Sequence, residues 1–137
     1  MSKAFTEAGQ PDVVKWEVLP VTDGERLCLV FESARAGGRH GVWLMTDAGL
    51  VVNGQRAPSM DIWQDSAPQI VEITVGTSAG ALHLYNIWDT GDGRGSQSWS
   101  SGMRVEELPT GRRYRCNDIG FDGPFDDLVF RIERMSS

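Results

Sequence analysis

The sequence predicts an all-β domain, an antiparallel β-sandwich of jelly-roll type with about nine short strands and no substantial helix. Three observations carry this. Apolar residues recur with period two along almost the whole chain, turn-forming pairs punctuate the runs, and no window of twelve residues shows a helical stripe.

The strands follow in order. Val14, Trp16 and Val18 alternate with Val13, Lys15 and Glu17, and Leu27, Leu29 and Phe31 alternate with Cys28, Val30 and Glu32. His40, Val42 and Leu44 alternate with Gly41, Trp43 and Met45. Thr46 to Val51 reads as a hairpin tip with Asp47, Ala48 and Gly49 at the turn, and Met60, Ile62 and Trp63 form a broken stretch. Val71, Ile73 and Val75 oppose Glu72 and Thr74. Leu82, Leu84, Asn86 and Trp88 share a face against His83, Tyr85, Ile87 and Asp89. Runs at 97–108, 112–117 and 128–134 complete the set. Thr22-Asp23-Gly24, Asn53-Gly54 and Pro109-Thr110-Gly111 are among the separators, and such pairs supply the positive φ that tight hairpins need.

At 137 residues the chain makes one domain spanning 1–137, with 1–10 and 135–137 expected to fray. The net charge of -6 opposes a grip on phosphates, so nucleic acid is not an expected partner. Arg112, Arg113 and Arg115, split by Tyr114, read as the exposed basic face of one strand. No run has the length of a membrane span, and Met1 to Asp12 has no apolar signal region. The expected location is therefore the cytoplasm, with Cys28 and Cys116 as thiols.

Gly76-Thr77-Ser78-Ala79-Gly80 matches the G-x-S-x-G nucleophile elbow, but that device needs a strand-to-helix turn and a strand follows here. It reads as a turn of small residues. His40 is expected to face solvent and His83 to lie half-exposed beside an aromatic residue, and their spacing with the two cysteines matches no zinc pattern.

Asn117, Asp118, Asp122, Asp126 and Asp127 gather carbonyl and carboxylate oxygens in one loop, the donor set that Ca²⁺ takes. Asp118, Asp122, Asp126 and Asp127 are the candidate metal ligands, and the alternative role for Asp126 or Asp127 is to cap the turn by accepting backbone N–H bonds. Phe125-Asp126-Asp127-Leu128-Val129-Phe130 resembles the D-F-[N/D]-D-L-V-F strand entry of calcium-associated β domains in secreted bacterial proteins. That resemblance implies calcium in the loop. The family's denser acidic run before the Phe is broken here by Gly123-Pro124. The stretches around Leu82–Asp89 and Tyr114–Gly120, with the last strand, are similar to small uncharacterised bacterial β-sandwich proteins, a likeness that implies no activity.

Aromatic residues interleaved with amides supply a second candidate site. Trp63, Tyr85, Asn86, Trp99 and Asn117 are the expected ligand contacts, because sugars present an apolar face and a ring of hydroxyls. Trp16, Trp43 and Trp88 are expected in the core, and Trp63 and Trp99 at the surface. The leading expectation is a non-enzymatic domain binding a polar or carbohydrate-like ligand. Two alternatives stand beside it: an interaction protein that dimerises through a sheet edge or face, and a small hydrolase using paired carboxylates such as Asp118 and Asp127.

Overall fold

A computed structural model describes residues 13–35, 38–91, 93–96, 101–117 and 127–135. Every regular element among them is a strand, and every pairing is antiparallel. The eleven strands are β1 (Val13–Val14), β2 (Glu17–Pro20), β3 (Arg26–Ala34), β4 (Arg39–Val52), β5 (Gln55–Trp63), β6 (Ile70–Val75), β7 (Ala81–Asp89), β8 (Arg94–Ser96), β9 (Gly102–Leu108), β10 (Gly111–Asn117) and β11 (Leu128–Arg134). The chain is thus all-β, as the period-two rhythm requires.

These strands form one continuous sheet, ordered β1-β9-β10-β11-β3-β6-β4-β7-β2, with β5 added on β4 and β8 on β7. The two ends of that order, β1 and β2, are separated in sequence only by Lys15 and Trp16. The N-terminal segment therefore pairs with β9 through Val13 and Val14, then with β7 through Glu17 to Pro20. This nearly closes the sheet into a barrel. Leu27, Leu29, Val42, Leu44, Leu82, Leu84, Tyr114, Phe130 and Ile132 fill the core.

Closure inverts one expected face. Val13, Glu17 and Leu19 are the buried residues of the N-terminal segment, whereas Val18 and Trp16 are exposed. Glu17 tolerates burial because its carboxylate is satisfied: Oε2 accepts hydrogen bonds from Tyr114 Oη at 3.1 Å and Arg112 at 3.0 Å, and Oε1 accepts one from the Val18 N–H at 3.2 Å. Burial, followed by the charge and hydrogen bond of Glu17, raises the Tyr114 phenol far above its ordinary range, which keeps it a donor.

The expected hairpin tip at 47–49 is displaced. Strand β4 runs through it, and the turn falls at Asn53-Gly54, both at positive φ between the paired Val52 and Gln55. Residues 46–49 instead make a wide bulge opposite Pro58, which has no N–H to give a ladder. Before the bulge β4 pairs with β7, and after it with β6. Asp47 staples this corner to the β6–β7 connection, accepting hydrogen bonds from the Ser78 hydroxyl and N–H and from the Thr77 hydroxyl at 2.9 Å.

Hydrogen bonds from the Ser78 and then the Thr77 hydroxyl hold the Asp47 carboxyl down at about 2. Its folded value lies below its unfolded one, so its contribution is complete above about pH 4 and is lost as pH falls toward about 2. Acid titration of stability, followed by urea unfolding, should show Asp47→Asn differing from wild type above that window and converging with it below. A constant difference down to pH 2 would rule out this role.

Candidate functional site

Strands β4 and β7 bury aliphatic residues on one side, Val42 and Leu44 on one strand and Leu82 and Leu84 on the other. The residues between them must point the opposite way. Trp43 and Tyr85 are direct partners in that register, and their rings stack at 4.4 Å and 15°. Offset stacking adds to the stability of such a cross-strand pair. By strand alternation this aromatic shelf points away from Val42, Leu44, Leu82 and Leu84, but Tyr85 is itself buried (9% exposed) within the apolar cluster and Trp43 is half-buried against that cluster.

Two walls flank it. On one side Trp16 meets Trp43 edge-on at 5.3 Å and tilts over Tyr85 at 5.5 Å, while its indole N–H donates to His83 Nδ1 at 2.8 Å. On the other, Arg94 of β8 reaches Asp61 of β5 with two parallel hydrogen bonds, 2.7 Å from Nε and 3.1 Å from an Nη. The Arg94 guanidinium also passes 5.8 Å from the Tyr85 ring centre. Burial works against charge on Arg94, but hydrogen bonds to Tyr85 and Asp61 outweigh it and hold its pKa above the ordinary value. Trp43, Tyr85, Arg94, Asp61, Ser59 and Met60 together line an open depression of about 530 Å³.

The depression offers what a polyhydroxylated ligand needs. A guanidinium carries five N–H donors and a carboxylate about four acceptor sites, so their mutual two-bond fork leaves capacity on both. Ring C–H faces pack on aromatic surfaces while neighbouring hydroxyls bridge a donor and an acceptor.

Another charged surface is internally neutralised among the described residues. On the face formed by β3, β9, β10 and β11, Glu32 binds both Arg113 (3.0 Å) and Arg131 (3.1 Å). Glu106 binds Arg113 (3.2 Å) and Arg115 (3.7 Å), and Arg112 pairs with Glu17 and Glu107. The expected basic face of β10 is therefore split: Arg113 and Arg115 lie in a row of surface ion pairs, while Arg112 shares the inward side with Tyr114 at the buried Glu17.

The expected ligand contacts do not converge. Tyr85 lies in the shelf. Trp63 sits beside it on β5, over Gly41, with the Arg39 guanidinium 4.4 Å above its ring. Trp63 lines a neighbouring pocket of about 200 Å³ with Val52, Ile62, Ala67 and Val71, and Asp61 lines both. Asn86 and Asn117 are buried inside the sheet, 2% and 1% exposed, where the Asn86 amide donates to the Asn117 carbonyl at 3.2 Å. They brace β7 against β10. Trp99 lies outside the described residues.

Among the metal candidates, Asp118, Asp122 and Asp126 also lie outside the described residues. Asp127 is buried, with its carboxylate 3.2 Å from the Arg35 guanidinium and its carbonyl accepting the Arg35 N–H. No group of three or more potential metal-ligating side chains occurs among the described residues. His40, expected in solvent, is buried with Nε2 2.8 Å from the Arg35 carbonyl, an oxygen that can only accept, so Nε2 carries the proton. Cys28 and Cys116 are free thiols, and burial first, then the Glu72 and Glu133 charges, raise the Cys28 pKa.

Trp16, expected in the core, is exposed, whereas Trp43 is half-buried against the core cluster and forms part of the shelf; Arg94 and Asp61 are additions to the expected set. One signal for Trp43 is present in the sequence: Val42 and Leu44 already supply the buried face of β4, which leaves Trp43 for the other. Nothing local marks Arg94 and Asp61, which are brought together across β4 and β7. No helix among the described residues is long and apolar enough to cross a membrane. No protein-family model matches the chain, and no curated protein matches it.

Proposed function

We propose that the protein is a non-enzymatic binding domain whose Trp43–Tyr85 shelf receives a polar, carbohydrate-like ligand. One observation carries the reading: a stacked aromatic pair stands beside a forked Arg94–Asp61 pair at the mouth of an open depression. A sugar ring laid on the Trp43 edge of the shelf would direct adjacent hydroxyls to the spare guanidinium donors and carboxylate acceptors.

Calorimetric titration against a panel of soluble oligosaccharides tests this. Heat of binding and a tryptophan fluorescence change are expected for at least one class of glycan. Trp43→Ala and Arg94→Ala should each weaken binding by about thirtyfold, the loss expected for an anchor residue. A panel giving neither heat nor fluorescence change would remove the proposal, and so would unaltered affinity in both variants.

A further inference from the structure

We propose that the free edge of β5, from Ser59 to Trp63, receives an extended basic peptide as an added strand, independently of any sugar on the shelf. Among the described residues β5 pairs with β4 alone, so its far edge carries no ladder. The register fixes where each backbone group points. Gln64 donates its N–H to the His40 carbonyl directly opposite, which makes these two a hydrogen-bonded pair. Such pairs alternate along an antiparallel ladder, so Ile62 and Met60 turn their N–H groups toward β4. Ser59, Asp61 and Trp63 turn theirs outward, and none of the three meets an acceptor among the described residues.

The edge of β2 shows what a blunted edge looks like in the same molecule. Val21 donates to the Gly80 carbonyl opposite it, so Val18 and Pro20 are the residues whose backbone faces away from β7. The Val18 N–H is taken by Glu17 Oε1 at 3.2 Å, Pro20 has no N–H, and its carbonyl accepts from Arg134 at 2.7 Å. Proline and charged side chains placed in this way prevent strand addition. On β5 only Pro58 does so, toward the hairpin turn, and the stretch from Ser59 onward is left open.

A pocket adjoins the open stretch. Asp61, Ile62 and Trp63 line the cavity of about 200 Å³ together with Ala67, Pro68 and Val71. Successive side chains of a strand point to opposite faces, so three in a row share one cavity only where it wraps the strand's edge. The other edge is occupied by β4. Main-chain bonds to a free edge, with a pocket for an alternate side chain, are what recognition of an extended peptide requires. The cavity has room for an aliphatic side chain. The net charge of -6 favours a basic segment and opposes a second copy of this chain.

The probe is a capped heptapeptide, Lys-Val-Lys-Leu-Lys-Val-Lys, titrated at low salt into the isotope-labelled full chain and followed by amide NMR. Saturable shifts centred on Ser59, Asp61 and Trp63 are expected, with exchange of those three amides slowed about tenfold at saturation. N-methylation of every second peptide residue, made in both registers, should in one register weaken binding about tenfold by removing the main-chain donors. Ala67→Phe, which fills the pocket from a surface turn, should weaken it by a similar factor. Equal affinity for both methylated peptides and the parent would overturn the added strand, as would shifts centred away from β5 or no response at millimolar peptide. Unaltered affinity in Ala67→Phe would overturn the role of the pocket. Equal binding of Glu-Val-Glu-Leu-Glu-Val-Glu would overturn the basic partner. Light scattering of the protein alone is the last arm: a dimer with the same three amides protected would assign the edge to a second copy and overturn the peptide.

Discussion

Phe130→Ala is expected to cost about 4 kcal/mol of folding stability. Phe130 is fully buried on β11, and its ring stacks on that of Tyr114 in β10 at 4.9 Å and 24°. The two are direct register partners, so the pair welds adjacent strands as well as filling space. Truncation removes the ring's transfer free energy and leaves a void that flanking strands cannot close, because each is held in a ladder on both sides. It also loosens the ring whose hydroxyl binds Glu17. Urea unfolding with linear extrapolation measures the change, and Phe130→Leu, which keeps most of the volume, should recover more than half of it. A loss below about 1 kcal/mol would mean that the Tyr114–Phe130 stack is not part of the core.

Glu17→Ala should cost about 3 kcal/mol, which is a large effect for an acidic residue. Its carboxylate is 8% exposed at residue level and joins β2 to β10 through Tyr114 and Arg112. Those partners lie almost a hundred residues away in sequence, on a strand that β2 does not pair with. Removing the carboxylate strands a buried phenol donor and takes from the half-buried Arg112 guanidinium one of its two carboxylate partners. Glu17→Gln keeps an acceptor and should cost less, about 1–2 kcal/mol. A double-mutant cycle of Glu17→Gln with Tyr114→Phe reads the coupling directly. Additive single losses would show that the bond across the closure is not a unit.

The strands were legible because period two survives wherever one side of a sheet is buried. Their orientation was less so. Along the N-terminal segment the apolar Trp16 and Val18 point toward solvent, while Glu17 points inward. Ordinary hydrophobicity assigns those faces the other way, and only Arg112 and Tyr114, contributed by β10, reverse it. In β4, Asp47-Ala48-Gly49 has turn chemistry and yet lies within a strand, because Pro58 opposite it favours a bulge and Asn53-Gly54 makes the tight turn a few residues later. Local composition cannot rank two adjacent turn signals when the partner strand decides between them.

The candidate site divides along the same line. Tyr85 was legible as an aromatic beside polar neighbours, but Asn86, next to it, belongs to the other face by the same alternation, and is committed to the Asn117 carbonyl inside the sheet. The Arg94–Asp61 fork depends on strand order, since β5 and β8 approach each other only by flanking β4 and β7. Strand order is a property of the whole sheet and leaves no mark on either short stretch.

The central claim is that the outer face of β4 and β7 binds a carbohydrate-like ligand, and a backbone amide and indole NMR map recorded during oligosaccharide titration tests it most directly. The account predicts saturable shifts centred on Trp43, Tyr85, Asp61 and Arg94, with Asn86 and Asn117 little affected. Shifts centred on another surface, or none at any saccharide concentration, would contradict it.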